Sequence, residues 1–209
     1  NMNQLLDFAI DFGFEAIVAN SGELGKFSKM QRSEFLGRMK ENNISWGTAG
    51  LLMDFRKDRE TFLKGLRAMP DHAKTLEDFG ITRLGTYIMP TNDDLTYKEN
   101  FHQHVLRLQG ITNILGHHGV SFGLEYVGPK TLMSKFRYPF VSSMREAKEL
   151  IEGIGESNVG FVLDSFHWHC AEEATSDLLS LDNSDIVTVD LNDAVFGRNI
   201  YEQLDGERE

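Results

Sequence analysis

Three apolar stretches of this chain run into a carboxylate: "VSFGLEYV" reaches Glu125, "VGFVLDSF" reaches Asp164 and "DIVTVDL" reaches Asp190. If each stretch is a strand, successive side chains point to opposite faces. Ser121, Gly123 and Glu125 then share one face, and Phe122 and Leu124 the other. The same parity sets Gly160, Val162 and Asp164 against Phe161 and Leu163, and Ile186, Thr188 and Asp190 against Val187, Val189 and Leu191. Neighbouring strands lie about 5 Å apart, so carboxylates at three adjacent strand ends repel one another unless protons or a cation intervene. A divalent metal is the economical answer. An all-oxygen set favours Mn²⁺ or Mg²⁺, and an added imidazole suits Zn²⁺, Co²⁺ or Fe²⁺. One acid at a strand end commonly does no more than cap the next helix or meet a surface cation. Three of equal parity at equivalent ends argue for a shared ion.

His167 follows Asp164 by three residues and is expected at the start of a loop, within reach of a metal ligand or a substrate oxygen. Trp168 would supply an apolar wall, and His169 would face away. The pairs His102/His104 and His117/His118 fall within or at the end of a helix and read as solvent-facing or structural. Cys170 has no histidine placed as its base and reads as a small packed side chain.

What must position these groups is a run of short buried strands. Six segments qualify: "EAIVAN", "ISWGTAG", "ITRLGTYI", "VSFGLEYV", "VGFVLDSF" and "DIVTVDL". Ahead of them stand "DFGF", "ENN", "DFG", "HHG", "ESN" and "DNS", whose Gly and Asn residues end helices. Helical periodicity fills the gaps, with Phe101, Val105, Leu108, Ile111 and Leu115 on one face and Met144, Ala147, Leu150 or Ile151, and Ile154 on another. Ser143 and Glu146 have capping-box spacing. Pro70, inside the pattern from Arg59 to Phe79, predicts a kink or two shorter helices. Strand–helix alternation implies right-handed crossovers and a parallel sheet. A doubly wound sheet would carry a G-x-G-x-x-G turn, which no strand-to-helix junction here contains. A (β/α)8 TIM barrel needs none and collects its chemistry at the carboxyl ends of several strands. Residues 1–209 are expected to form one such barrel domain, incomplete at both ends: six strands are legible where eight close a barrel. The expectation is therefore a fragment, or a barrel open along one side, whose edge would favour a homo-oligomer.

The 32 acidic residues against 21 basic ones leave no basic stripe for a phosphate backbone, which argues against nucleic acid. A single cysteine, no signal-peptide pattern and no apolar run of about 20 residues argue for a cytoplasmic protein away from the membrane.

"GLEYVGPKTL", "VGFVLDSFHWH" and "DIVTVDLNDA" resemble the sugar isomerase/epimerase family with a xylose-isomerase-like TIM barrel, over nearly the whole chain. The resemblance implies a metal held by a glutamate, an aspartate, a histidine and a last glutamate, with Glu125 and Asp164 at the first two places. Asp190 stands where the third ligand is usually histidine, and the fourth would lie on a strand beyond this sequence. His167 matches a histidine aimed at a substrate oxygen, and Arg208, in "GERE", matches an arginine that contacts substrate. Lys130, after the "VGP" turn, is a candidate hydroxyl or anion contact. The implied reaction is isomerisation or epimerisation of a ketose, aldose or keto-sugar, with Glu125 removing an α-proton to give an enediolate. The alternatives are a metal-dependent dehydratase or eliminase acting on an inosose or 3-keto-glycoside, an apurinic-site endonuclease, which the acidic balance opposes, and a non-catalytic sugar-binding barrel.

Overall fold

The computed structural model describes residues 1–208. All six parallel strands lie inside the segments read from the sequence: β1 (Ala16–Ala19), β2 (Ser45–Gly50), β3 (Arg83–Ile88), β4 (Ser121–Tyr126), β5 (Val159–Asp164) and β6 (Ile186–Asp190). The helices longer than a single turn are α1 (Met2–Phe12), α2 (Lys29–Glu41), α3 (Arg59–Phe79), α4 (Tyr97–His117), α5 (Met144–Ile154) and α6 (Ser165–Cys170). A two-residue antiparallel pair, Thr91–Asn92 with Tyr138–Pro139, was not legible because two residues carry no period. The chain forms two compact units, one of residues 1–84 with 113–121, the other of residues 85–112 with the chain from Phe122 onward.

In the first unit β1 pairs in parallel with β2, Ala16 opposite Ser45 and Ala19 opposite Ala49, and β2 lies beside the start of β3. Helix α1 buries Met2, Leu6 and Ala9, an i, i+4, i+7 stripe, and stops at Gly13, whose φ of 72° is cheap only without a Cβ. The two shorter helices expected around Pro70 are one continuous helix, α3. Phe62 and Met69 before the proline and Ala73, Leu76 and Phe79 after it are all buried, so packing on both sides outweighs the lost backbone hydrogen bond. The same helix buries His72, its Nε2 2.8 Å from the Ser21 hydroxyl, a pair with no periodic signature in the sequence.

The second unit takes the rest of β3, then β4, β5 and β6, in that spatial order. Leu124 stands opposite Phe161 and Asp164 opposite Asp190. Phe122, Leu124 and Phe161 are buried, and Met144, Ala147, Leu150 and Ile154 of α5 are buried too, α5 lying against β5. The other strand face carries glycines where neighbours crowd: a Cβ on Gly123 would fall 2.7 Å from the Val162 side-chain Cγ2, and one on Gly160 2.5 Å from the Asp185 backbone carbonyl oxygen. The capping box of α5 is only half formed. Ser143 Oγ accepts the Glu146 N–H, whereas the Glu146 carboxylate takes the Ser142 N–H at 2.9 Å and the Ser143 hydroxyl at 3.0 Å. The helix ends at Gly155 (φ 73°), just before the "ESN" expected to stop it. Among the described residues no helix is long and apolar enough to cross a membrane.

Candidate functional site

Asp164 has two tasks, which explains a departure from the sequence reading. It is the last residue of β5 and also the N-cap of α6, its Oδ1 accepting the Phe166 N–H at 2.8 Å. The segment after it is therefore a helix rather than a loop, and one helical turn carries His167 back over the strand end. Asp164 and His167 are both buried. Its capping oxygen used, Asp164 still offers Oδ2, which accepts from Asn192 Nδ2 at 2.8 Å.

Glu125 arrives from β4, half-buried, with its Oε1 3.7 Å from His167 Nε2. Its neighbour Tyr126 points the other way and donates to Glu173 Oε2 at 2.5 Å, and the other Glu173 oxygen accepts the Met144 N–H at the start of α5. The end of β4 is thereby pinned on the face away from the site. One ligand atom each of Glu125, Asp164 and His167 lies within 4.8 Å of the other two. A half-buried and a buried carboxylate at adjacent strand ends, with a buried imidazole from the first turn of α6, fit a divalent cation at that spacing.

Asp190 is opposite Asp164 in the ladder, but it is exposed and lies outside this group of three. Arg208 reaches the cluster from the end of the chain: Nη1 is 3.2 Å from His167 Nε2, 3.6 Å from Asp164 Oδ2 and 2.9 Å from Asp205 Oδ1. Because a guanidinium only donates, the neutral imidazole accepts at Nε2 and keeps its proton on Nδ1, a buried atom for which the described residues supply no hydrogen-bond partner. Trp168 is half-buried, and Lys130 Nζ lies 3.7 Å from the Glu172 carboxylate. His169 is exposed, as expected of a residue facing away, and Cys170 is buried. Asp205 and Asn192 escaped the sequence reading. The i, i+3 spacing of Asp205 with Arg208 was the only available signal.

Burial pushes the Glu125 carboxyl up to about 7, helped by the negative charge of Asp164 and opposed by Arg208. Burial also holds His167 below the ordinary imidazole value despite Asp164 and Asp205, so a neutral, electron-donating ring is favoured. Asp190, exposed at its outer edge, is raised by the partial desolvation of its inner side and by Asp164, and Arg208 opposes them. Groups shifted by burial and by one another, converging from separate elements, mark a site rather than a set of surface acids.

Residues 6–203 match the family model described as a xylose isomerase-like TIM barrel. The chain belongs to that family. Within the xylose isomerase-like barrels, an inosose isomerase of Halalkalibacterium halodurans is 32% identical over 87 residues, 41% of this chain and 28% of that protein's length. A xylose isomerase domain protein from Alicyclobacillus acidocaldarius has a solved structure that superposes with a TM-score of 0.85 at 28% identity, covering 97% of this chain and 72% of that one. The IOLI protein, solved with a binding zinc atom, superposes with a TM-score of 0.78 at 20% identity, covering 100% and 73%. The chain thus matches well under half the length of the curated relative.

The turn between β4 and the site is specified by contact. A Cβ at Gly128 would lie 2.2 Å from the His167 carbonyl oxygen and 3.0 Å from the Ala171 amide nitrogen, both backbone atoms of or beside α6. Gly128→Ala is therefore expected to cost about 2 kcal/mol or more, because the helix that carries His167 must move. Chemical denaturation checks it, and an unchanged midpoint would show that α6 is not held by this contact.

Proposed function

We infer that this protein is a divalent-metal-dependent isomerase or epimerase of ketoses, aldoses or keto-sugars, acting by α-proton removal. The observation that carries the reading is the buried convergence of Glu125, Asp164 and His167 at the strand ends. Glu125 and Asp164 would hold the metal, with His167 Nε2 as the third donor once Arg208 turns away from it; the imidazole favours Zn²⁺, Co²⁺ or Fe²⁺, and the two carboxylates also suit Mn²⁺. The metal would act as a Lewis acid toward a hydroxyl and the adjacent carbonyl.

Glu125 has the properties of a general base. In the metal-free protein burial and Asp164 raise its carboxyl to about 7, and a bound cation would lower it again, leaving a carboxylate that is ionised at neutral pH and placed to accept a proton from carbon. Glu125 takes that proton and the electron pair spreads onto the carbonyl as an enediolate. Glu125 would return the proton to the neighbouring carbon on its own face, and inversion at one carbon would need a second acid on the opposite face, the place of the last glutamate that the family resemblance implies. Arg208 and His167 line the same space and offer polar contacts for substrate oxygens, with Trp168 as an adjoining apolar surface. The inosose isomerase among the relatives and the zinc in a structural neighbour support a metal-assisted reaction of a polyhydroxylated ketone.

The test is metal quantification on the purified protein, joined to a screen of ketoses, inososes and 3-keto-glycosides in D₂O. The expected result is near-stoichiometric metal and deuterium entering the carbon next to the carbonyl. Loss of water or of an aglycone instead would place the protein among eliminases. Absence of both exchange and metal would overturn the reading.

A further inference from the structure

Asp164 is held by more than its strand. The Nδ2 of Asn192 donates to Asp164 Oδ2 at 2.8 Å, and Asn192 is itself held from the residue after Asp164. Ser165 Oγ accepts the Asn192 N–H at 2.9 Å and donates its own proton to the Asn192 carbonyl at 2.7 Å. One hydroxyl thus satisfies both polar groups of one residue, and the side chain of that residue returns to the carboxylate next door. The loop after β6 is closed onto the end of β5 by three hydrogen bonds through two residues.

We propose that Asn192, clasped by Ser165, is a positioning residue that sets the orientation of the Asp164 carboxylate for metal ligation. The inference rests on reading Glu125, Asp164 and His167 as a metal centre. With the Phe166 N–H on Oδ1 and the Asn192 amide on Oδ2, both oxygens are fixed, and the carboxylate plane cannot turn without breaking one bond. Each carboxylate oxygen has two acceptor directions, so Asn192 uses one on Oδ2 and leaves the other facing the space that Arg208 Nη1 approaches to 3.6 Å, where a metal would bind. A neutral amide suits this place better than a charged group. A cation there would compete with the metal for Oδ2, and an acid would repel Asp164. Outer contacts of this kind keep ligands aimed, and their loss typically costs tenfold to a hundredfold in metal affinity.

The test measures Mn²⁺ affinity by isothermal titration calorimetry in the absence of any sugar, with circular dichroism and thermal unfolding of the metal-free protein alongside. Asn192→Ala is expected to weaken Mn²⁺ binding by about tenfold to a hundredfold while the metal-free fold is retained. Ser165→Ala is expected to weaken it in the same direction, and Ser165→Thr, which restores a hydroxyl, to recover most of the loss. If Asn192→Ala does not fold, the two Ser165 variants decide alone. Asp164→Ala, measured in parallel, separates the two readings. Should Asp164→Ala lose the metal while Asn192→Ala and Ser165→Ala keep wild-type affinity, the positioning role is wrong and the metal centre stands. Should Asp164→Ala itself bind Mn²⁺ as the wild type does, the metal centre fails first.

Discussion

Replacing Glu125 by glutamine should lower turnover by about a thousandfold or more, the scale of a lost general base, and yet make the metal-free protein more stable at pH 8. The two effects share one cause. The Glu125 carboxyl titrates near 4.5 in the unfolded chain and near 7 in the folded one, raised by burial first and by Asp164 second. A group whose folded pKa is raised favours the folded state below the unfolded value, and that contribution is lost as pH climbs from 4.5 through 7. Above pH 7 the folded protein therefore carries a buried, ionised glutamate beside Asp164. A tenfold change in proton affinity is worth about 1.4 kcal/mol, so with allowance for partial exposure the penalty at pH 8 is on the order of 2 kcal/mol. Glutamine keeps the size and hydrogen-bonding reach of the side chain without the charge. Urea melts of the metal-free proteins at pH 5 and pH 8 should show the variant gaining on the wild type as pH rises, and added Mn²⁺ should stabilise the wild type more than the variant. Equal stability of the two proteins at both pH values would mean that Glu125 does not face the other acids. Wild-type turnover would remove it as the base.

Much of this site was legible because strands and helices announce themselves by period. The apolar alternation of Phe122 and Leu124 left Ser121 and Glu125 as the less buried positions of β4, whereas β5 is buried on both faces, so there it is the strand end rather than burial that points to Asp164. The same parity was less informative in β6. There only Val187 is well buried, whereas Val189 and Leu191 are 54% and 83% exposed, so neither face is distinguished by burial and Asp190 is not drawn into the group of three. Other features were hidden for identifiable reasons. The α6 helix was read as a loop because Asp164 ends a strand and caps a helix with no residue between them, leaving no turn signal to detect. Asn192 arrives on irregular chain after β6 and Asp205 on a single 3-10 turn, Asp205–Glu207, too short for a repeat to tie sequence spacing to direction. Pro70 misled in the opposite sense: a strong local breaker was overridden by the apolar stripe that α3 buries on both sides of it.

The electrostatic balance of the cluster also bears on what it can hold. Glu125, Asp164 and Asp205 are within reach of Arg208 or His167, and Arg208 is the cation that meets two of the three proposed ligands. One guanidinium cannot neutralise three carboxylates, and the imidazole beside it is held neutral by burial. The residual negative charge is what a divalent ion would offset, so metal and Arg208 should act together on the same acids rather than as independent features.

Asp164 is where this balance can be broken most cleanly, because its two oxygens have separate work. Asp164→Ala should abolish measurable Mn²⁺ binding, a loss of more than about a hundredfold given what even outer contacts contribute, and should also destabilise the fold. Without the carboxylate, the Phe166 N–H loses its cap and Asn192 Nδ2 loses its acceptor, costing about 1–3 kcal/mol together with the ligand. That variant alone would confuse ligation with folding. Asp164→Asn separates them, since its side-chain carbonyl can still accept the Phe166 N–H and cap α6, its new amide can donate to Asn192 once that amide turns its oxygen inward, and the anionic oxygen is gone. The amide variant should accordingly unfold within a few degrees of the wild type in metal-free buffer, and calorimetry should show Mn²⁺ affinity reduced nearly as far as in the alanine variant. Retention of wild-type affinity by Asp164→Asn would mean that the buried acid at the end of β5 is a helix cap and nothing more, and the shared-cation account of the site would fall with it.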